Sequence, residues 1–369
     1  MKKIIVVSAI NFFEGGPLTI LKECLEYLSE HLSNEYRIIA LVHDEKLLSI
    51  NNIELLEYKK SRKSWFRRLY YEYAHFYFLS KRIKPHLWLS LHDITPNVTT
   101  DIQAVYCHNP SPFYSFSFHA LIYNYQVALF SLFYKYLYQI NIRKNTFVIV
   151  QQNWIRKAFQ KNYGVKNIIV SYPNAPQALM PDIKVNHRQN NTFLYPAFPR
   201  VFKNFEVVAD AAKLLFEQGV TDFKVLLTIS GKENKFARYI VEKYKNIPTV
   251  LFVGLKTRDE IYAYYQEVGA LIFSSKLETW GLPISEAKQF NVPIILADLP
   301  YARETVGNYD NVKFFNPDDH IQLAGCMRSY LEGNLIYDGN KAESVPEPFA
   351  QNWKELFDIL LKVDRDSNA

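Results

Sequence analysis

Twice along this 369-residue chain, short apolar runs alternate with helical patterns, and the alternation breaks once in between. That rhythm constrains the fold most, because strands separated by helices of this length build βαβ units around a parallel sheet. In the first half Ile4–Ala9, Tyr36–His43, Trp88–Leu91, Ala104–Cys107 and Phe147–Gln151 read as strands, with Pro17–Leu32 as the first helix. In the second half Phe193–Pro196, Lys224–Ser230, Thr249–Val253, Ala270–Phe273, Pro293–Leu296 and Val312–Phe315 read as strands. Helical patterns at Asn204–Gln218, Phe236–Tyr244, Arg258–Glu267 and Leu282–Phe290 lie between them, and Phe349–Val363 reads as a final amphipathic helix. Between the halves, Pro173, Pro176 and Pro181 sit among Asn, Gln and Lys, the composition of a linker. The expectation is two doubly wound α/β domains: residues 1–175, a linker at 176–191, and residues 192–345. Residues 346–369 form a helix and tail packing back toward the first domain.

Composition narrows the class. Apolar residues at 49% and charged residues at 22% suit a soluble globular chain. Forty-three Lys and Arg against 37 Asp and Glu leave +6, too mild a charge to indicate a nucleic-acid partner. Cys24, Cys107 and Cys326 are odd in number and far apart, which implies neither a disulfide framework nor a zinc site and suits a reducing cytosol. The apolar start Ile4–Val7 follows two lysines but is too short for a signal peptide. Leu121–Tyr138, the most lipophilic stretch, is broken by Asn124, Gln126, Ser131 and Lys135, so no spanning helix is expected.

Ligands of doubly wound sheets bind outside the strand carboxyl ends, near helix N-termini. The segment Ser274-Ser275-Lys276-Leu277-Glu278-Thr279-Trp280-Gly281-Leu282-Pro283-Ile284-Ser285-Glu286-Ala287 has that form. A buried strand runs into a turn that Gly281 permits, and Pro283 suits the first helical turn that follows. The free N–H groups where Trp280, Gly281 and Leu282 open this helix suit a pyrophosphate. Glu278 and Glu286, eight residues apart, can face one bound molecule from two sides.

The run Glu-Thr-Trp-Gly-Leu-Pro-Ile-Ser-Glu-Ala, with its E-x₇-E spacing, resembles the signature of family 4 retaining glycosyltransferases of the GT-B fold. Gly15-Gly16-Pro17 after the first strand resembles the family's glycine loop, and His108 in Val105-Tyr106-Cys107-His108-Asn109-Pro110 its N-domain histidine. With His92-Asp93-Ile94-Thr95 and Tyr195-Pro196-Ala197-Phe198-Pro199-Arg200-Val201-Phe202-Lys203-Asn204, the likeness is to O-antigen and other surface-polysaccharide glycosyltransferases of Gram-negative bacteria. The resemblance implies two Rossmann-like domains facing across a cleft, the first for the acceptor and the second for the nucleotide sugar. It implies that Glu286 binds the ribose hydroxyls and Glu278 the donor sugar. Lys203 and Arg200 neutralise the pyrophosphate, His108 orients the sugar, and Gly15 and Gly16 approach the donor. The family usually carries an arginine five residues before that lysine; here Phe198 stands there, and Arg200 is its candidate substitute. Front-face transfer, with the leaving phosphate accepting the acceptor's proton, needs positioning rather than a covalent partner.

The implied function is retaining transfer of a hexose from a nucleotide sugar, UDP-linked before GDP-linked, to a lipid-linked oligosaccharide in O-antigen or capsule assembly. No cofactor or metal is expected, since basic side chains and helix N–H groups can carry the pyrophosphate charge. The Asp364-Arg365-Asp366 pair lies in the polar tail, a poor place for a metal site. Arg62, Lys63, Arg67 and Arg68 beside Trp65, Phe66 and Leu69 read as a basic helix flank with an apolar stripe. Such a surface suits the anionic cytoplasmic leaflet of the inner membrane, with aromatic-rich Phe113–Tyr138 as a second candidate. The expected location is therefore cytoplasmic and peripheral on that membrane. Rivals are a sugar-nucleotide epimerase or hydrolase on the same architecture and a non-catalytic assembly scaffold. A dinucleotide-dependent dehydrogenase fits worse, because no G-x-G-x-x-G follows either first strand.

Overall fold

The computed structural model describes residues 2–113, 122–123, 133–134, 136–173 and 189–366. Two sheets organise them, and every strand pairing in both is parallel. The N-terminal sheet holds β1 (Lys3–Ala9), β2 (Tyr36–Val42), β3 (Glu54–Glu57), β4 (Leu87–Ser90), β5 (Ile102–Cys107), β6 (Phe147–Val150) and β7 (Ile168–Ser171). The C-terminal sheet holds β8 (Gln189–Tyr195), β9 (Lys224–Leu227), β10 (Val250–Phe252), β11 (Val268–Phe273), β12 (Ile294–Ala297) and β13 (Val312–Phe315). A two-residue strand β14 (Phe349–Ala350) returns to the first sheet beside β7.

The C-terminal sheet runs β10-β9-β8-β11-β12-β13. Its order reverses at β8 and β11, the topological switch point outside which ligands of such sheets bind. The N-terminal sheet runs β14-β7-β6-β5-β4-β1-β2-β3, and its switch point lies between β1 and β4. Each unit thus has its own switch point at strand carboxyl ends.

The N-terminal core shows why these strands are apolar throughout. Ile5, Val7, Ile38, Ala40 and Val42 face one side, against Leu21, Cys24, Leu25 and Leu28 of the helix Gly15–His31. Val6, Ile39, Leu41 and Trp88 face the other, against Phe76 and Leu79. The period of two divides each strand between two buried faces. The helix Trp353–Asp366 lays Trp353, Leu356, Phe357 and Leu360 onto the first of these layers. Tyr27 stacks on Phe357 with ring centroids 5.6 Å apart.

The chain divides into two units, the first drawing on residues 1–113, 133–174 and 345–369. The segment 114–132, of which Ile122 and Tyr123 are described, groups with the C-terminal unit, Tyr123 packing 4.6 Å from Tyr239. Two boundaries differ from the expectation. Residues 189–191, expected in the linker, begin β8, because Gln189 pairs with Val268 of β11; the linker's 176–188 lies outside the described residues. Phe349 and Ala350 are strand rather than helix, because they pair with Val170 and Ser171, and the helix starts at Trp353. The strands Glu54–Glu57 and Ile168–Ser171 were not expected.

The last helix should behave as core. Phe357→Ala leaves a void under a fully buried ring and should cost about 3–5 kcal/mol. Urea unfolding of the purified chain checks this, with Lys354→Ala, on the exposed face, unfolding like the wild type.

Candidate functional site

At the C-terminal switch point two loops are stitched together by backbone. Ser274 Oγ donates to the carbonyls of Lys203 (3.2 Å) and Asn204 (3.1 Å), and the Lys276 N–H donates to the Phe202 carbonyl (2.7 Å). Asn204 closes the short turn Val201–Lys203 at φ +58°, a conformation Asn tolerates better than most residues. The helix Phe205–Glu217 begins immediately after it. This frame brings Lys203 Nζ into an ion pair with Glu278, both side chains mostly buried. Arg200 belongs to the same corner: its guanidinium lies 5.9 Å from the rings of Phe198 and Phe202. Burial pulls its pKa down, and the charge of Glu278 opposes that pull. Glu278 is thus paired with Lys203, and Arg200 lies close enough to feel its charge.

Beyond Glu278 the chain turns through Gly281, at φ +89°, into the helix Leu282–Gln289. A Cβ there would meet Ile284 Cδ1 at 3.1 Å, so both conformation and space favour glycine. Pro283 occupies the first turn, where a missing N–H costs nothing. Trp280 is a packing residue in this arrangement. Its indole is buried, its Nε1 donates to Ser285 Oγ at 3.0 Å, and its carbonyl accepts from Thr305.

Glu286, one turn into the helix, is buried. Its Oε1 lies 3.3 Å from Arg258 Nη2 and its Oε2 3.4 Å from the Tyr265 hydroxyl. Burial pushes its pKa up, while Arg258 and the Tyr265 hydrogen bond pull it back. Arg258 is held in turn by the Tyr262 hydroxyl, 2.8 Å from its Nε. The sequence reading missed Arg258. Its signal was the capping box of Thr257 and Glu260, which opens the helix Arg258–Glu267 and turns this side chain toward the neighbouring helix.

The N-terminal unit has its own cluster at the ends of β1, β4 and β5. Gly15, at φ +65° with open space around it, begins the helix after β1, followed by Gly16. His108 follows β5, its ring 6.0 Å from Phe12 and 4.1 Å from Tyr106. Among the described residues no side chain hydrogen-bonds either ring nitrogen of His108. Burial drives its pKa to about 4, with Asp93 and a hydrogen bond to the Leu91 backbone opposing, so the imidazole is neutral at physiological pH. Asp93, at φ +69°, accepts from the backbone N–H groups of His108 (2.6 Å) and Asn109 (3.0 Å) and from the Tyr138 hydroxyl (2.9 Å). Its neighbour His92 is fully buried, with Nε2 2.6 Å from Glu72 Oε1.

Arg68 corrects the expected basic flank. It is buried, with Nη2 donating to the His92 carbonyl at 3.0 Å, so it braces this cluster instead of facing solvent. Arg62 and Lys63 precede the helix, which starts at Trp65 after the cap Ser64. Arg62 stacks on Phe13 at 3.2 Å. Arg67 is exposed, as are Trp65 (44%) and Phe66 (86%). Five residues, Tyr71–His75, form a π-helical turn that rotates the rest of this helix and places Glu72 against His92. Of the aromatic segment Phe113–Tyr138, most lies outside the described residues; Phe133 and Tyr136 are exposed and Tyr134 is buried. Among the described residues no helix is long and apolar enough to cross a membrane.

Residues 176–346 match the family "Glycosyl transferases group 1". The chain is 29% identical over 140 residues to the serotype-specific mannosyltransferase WbdA of Escherichia coli, covering 37% of this chain and 17% of WbdA. It is 23% identical over 207 residues to the O-antigen chain mannosyltransferase RfbU of Salmonella typhimurium, 54% of each protein. The chain thus spans at most about half the length of these relatives. The solved structure of the lipopolysaccharide outer core galactosyltransferase WaaB superposes with a TM-score of 0.61 at 14% identity, over 98% of this chain and 99% of that one.

Glu206, in the first turn of the helix after Lys203, supplies a test of this corner. Burial raises its carboxyl from 4.5 to about 7, and Asp210 adds to the rise, while its own backbone N–H, Lys243 and Lys276 oppose it. The folded chain therefore holds a proton that the unfolded chain releases near its ordinary value, so stability should fall as pH rises from about 4.5 to 7. Urea unfolding at pH 5 and pH 7.5 should show that drop in the wild type and a smaller one in Glu206→Gln.

Proposed function

We propose, from the premise that residues 176–346 form a group 1 glycosyltransferase domain on a GT-B fold, that this chain is a retaining hexosyltransferase. It moves a hexose from a nucleotide sugar to a lipid-linked oligosaccharide of a bacterial surface polysaccharide. Support comes from the corner where Lys203 pairs with Glu278, with Arg200 within reach of that charge, and from the following helix that carries Glu286. A nucleoside diphosphate sugar is complementary to it. Its pyrophosphate would take Lys203 and Arg200 along with the free N–H groups opening the helix Leu282–Gln289. Released from Lys203, Glu278 would accept from sugar hydroxyls, and Glu286 from the ribose.

In the reaction the bond between the anomeric carbon and the phosphate oxygen breaks. The acceptor oxygen bonds the same carbon from the same face, and its proton passes to the departing phosphate. The protein supplies charge stabilisation and alignment. His108, neutral and with no side-chain partner on its ring among the described residues, suits hydrogen bonding to a sugar hydroxyl. The mannosyltransferase names of the relatives put GDP-mannose beside UDP-hexoses in the first donor panel.

Glu278→Gln should abolish transfer yet keep or tighten nucleoside diphosphate binding, since Lys203 loses its internal counter-charge. Glu286→Ala should weaken nucleotide binding about 10- to 100-fold, roughly 1.4–3 kcal/mol. Calorimetry with UDP and GDP, and product analysis with and without acceptor, check both. Unchanged nucleotide affinity in Glu286→Ala would remove the ribose assignment, and sugar release without transfer would favour a hydrolase. Activity should persist in EDTA; loss on chelation with recovery on manganese would overturn the metal-free reading.

Docking to the anionic cytoplasmic leaflet is the second part of the proposal. Arg62, Lys63 and Arg67 lie beside exposed Trp65 and Phe66. At about 1 kcal/mol per basic residue, three supply about 3 kcal/mol, enough for reversible attachment. The chain should sediment with vesicles rich in anionic lipid at low salt and leave them at high salt. Replacing the three by Gln should release it and slow transfer to lipid-linked acceptors but not to short soluble ones. Retention of the triple variant on vesicles would refute this surface.

A further inference from the structure

We infer that Asp93 is a positioning residue for transfer, one that fixes the strand-end turn carrying His108. The inference rests on the proposed role of His108 at the sugar. One oxygen of Asp93, Oδ1, accepts from the two consecutive amides of His108 and Asn109 and from the Tyr138 hydroxyl. Two neighbouring N–H groups can point at one oxygen only if the backbone between them is curled, so the bond pair selects one conformation of the turn. Among the described residues no side chain hydrogen-bonds the ring of His108, whose polar contact is with the Leu91 backbone, so backbone geometry orients it.

The residue type fits the task. Asp93 sits at φ +69°, a left-handed conformation that most side chains avoid and that Asp tolerates best together with Asn and Gly. The chain accepts that conformation between two fixed points. The Asp93 N–H donates to the Tyr106 carbonyl of β5 (3.2 Å), and His92 is clamped by Glu72 and by Arg68 on its carbonyl. The carboxylate is thus held still while the amides close on it. Displacing a reacting partner by about 1 Å can cost about 100-fold in rate, so a turn loosened by that much would register in turnover.

Conformation and acceptor make separable demands, which gives the test. Glycine meets the backbone demand and lacks the acceptor; asparagine meets both, through its side-chain oxygen. Steady-state transfer should be measured for Asp93→Gly, Asp93→Asn, Asp93→Ala, His108→Ala and the double variant Asp93→Ala with His108→Ala. The expected result is kcat lowered about 10- to 100-fold in Asp93→Ala and Asp93→Gly, donor KM within about threefold, and substantial recovery in Asp93→Asn. The double variant should be no slower than His108→Ala, because both changes remove one function. Amide exchange should quicken at His108 and Asn109 in Asp93→Gly while the amides of β1 and β4 stay protected, which separates a loosened turn from a lost fold. Full activity in Asp93→Gly, or a double variant whose losses multiply, would overturn the inference while leaving His108 in place. Full activity in His108→Ala would instead overturn the role of His108, and this inference with it.

Discussion

A parallel sheet covered on both faces leaves its chain few choices. Each strand must be apolar on both sides, each connection must cross over through a helix, and every strand must end on the same edge. In the C-terminal unit that edge collects the turn after β8, with Arg200 and Lys203, and the turn after β11, with Glu278 and the start of the helix bearing Glu286. In the N-terminal unit it collects Gly15, Asp93 and His108 in the same way. Residues separated by about 75 positions, such as Lys203 and Glu278, become an ion pair because strand order reverses between the strands that carry them.

The apolar runs made most of this legible before any coordinates. Strands such as Ala104–Cys107 and Ala270–Phe273 stand out because burial on both faces removes every polar alternate. The strand Glu54–Glu57 escaped detection for the opposite reason: at the sheet edge its residues are half exposed and flanked by glutamates. β14 is two residues long and carries no periodicity at all; its partner across the sheet defines it. In the site, the glutamates and the glycine turn were readable because the requirements are local. Arg258 beside Glu286 and Arg68 beneath His92 were not, since each is defined by a helix packing against an element distant in sequence. A row of arginines on a helix looks solvated in sequence, and the π-helical turn at Tyr71–His75 shows how easily its register with the core is shifted.

Charge in the C-terminal unit is arranged in opposed pairs under partial burial. Glu278 is held against Lys203 and Glu286 against Arg258, so neither carboxylate stands alone where desolvation is costly. Each pair also contains a group that an anionic, hydroxyl-rich ligand would claim. Binding then exchanges one set of charge-assisted contacts for another, and its net gain is the difference between them. Such a site can be stable in the absence of ligand without being tight for every phosphate that diffuses in.

The N-terminal sheet is closed by residues from the far end of the chain. Phe349–Ala350 extends it beyond β7, and the helix after it covers Cys24, Leu25 and Leu28. During translation the ribosome therefore releases the first-made half long before the piece that seals it exists. While about 170 further residues are being joined, the apolar flank of the helix Gly15–His31 lies open to water and to neighbouring nascent chains. The C-terminal unit, whose strands β8 to β13 are contiguous in sequence, carries no such delay. Synthesis order and contact order thus differ in the N-terminal unit: its first-made helix meets one of its core partners only once Trp353–Asp366 has been joined.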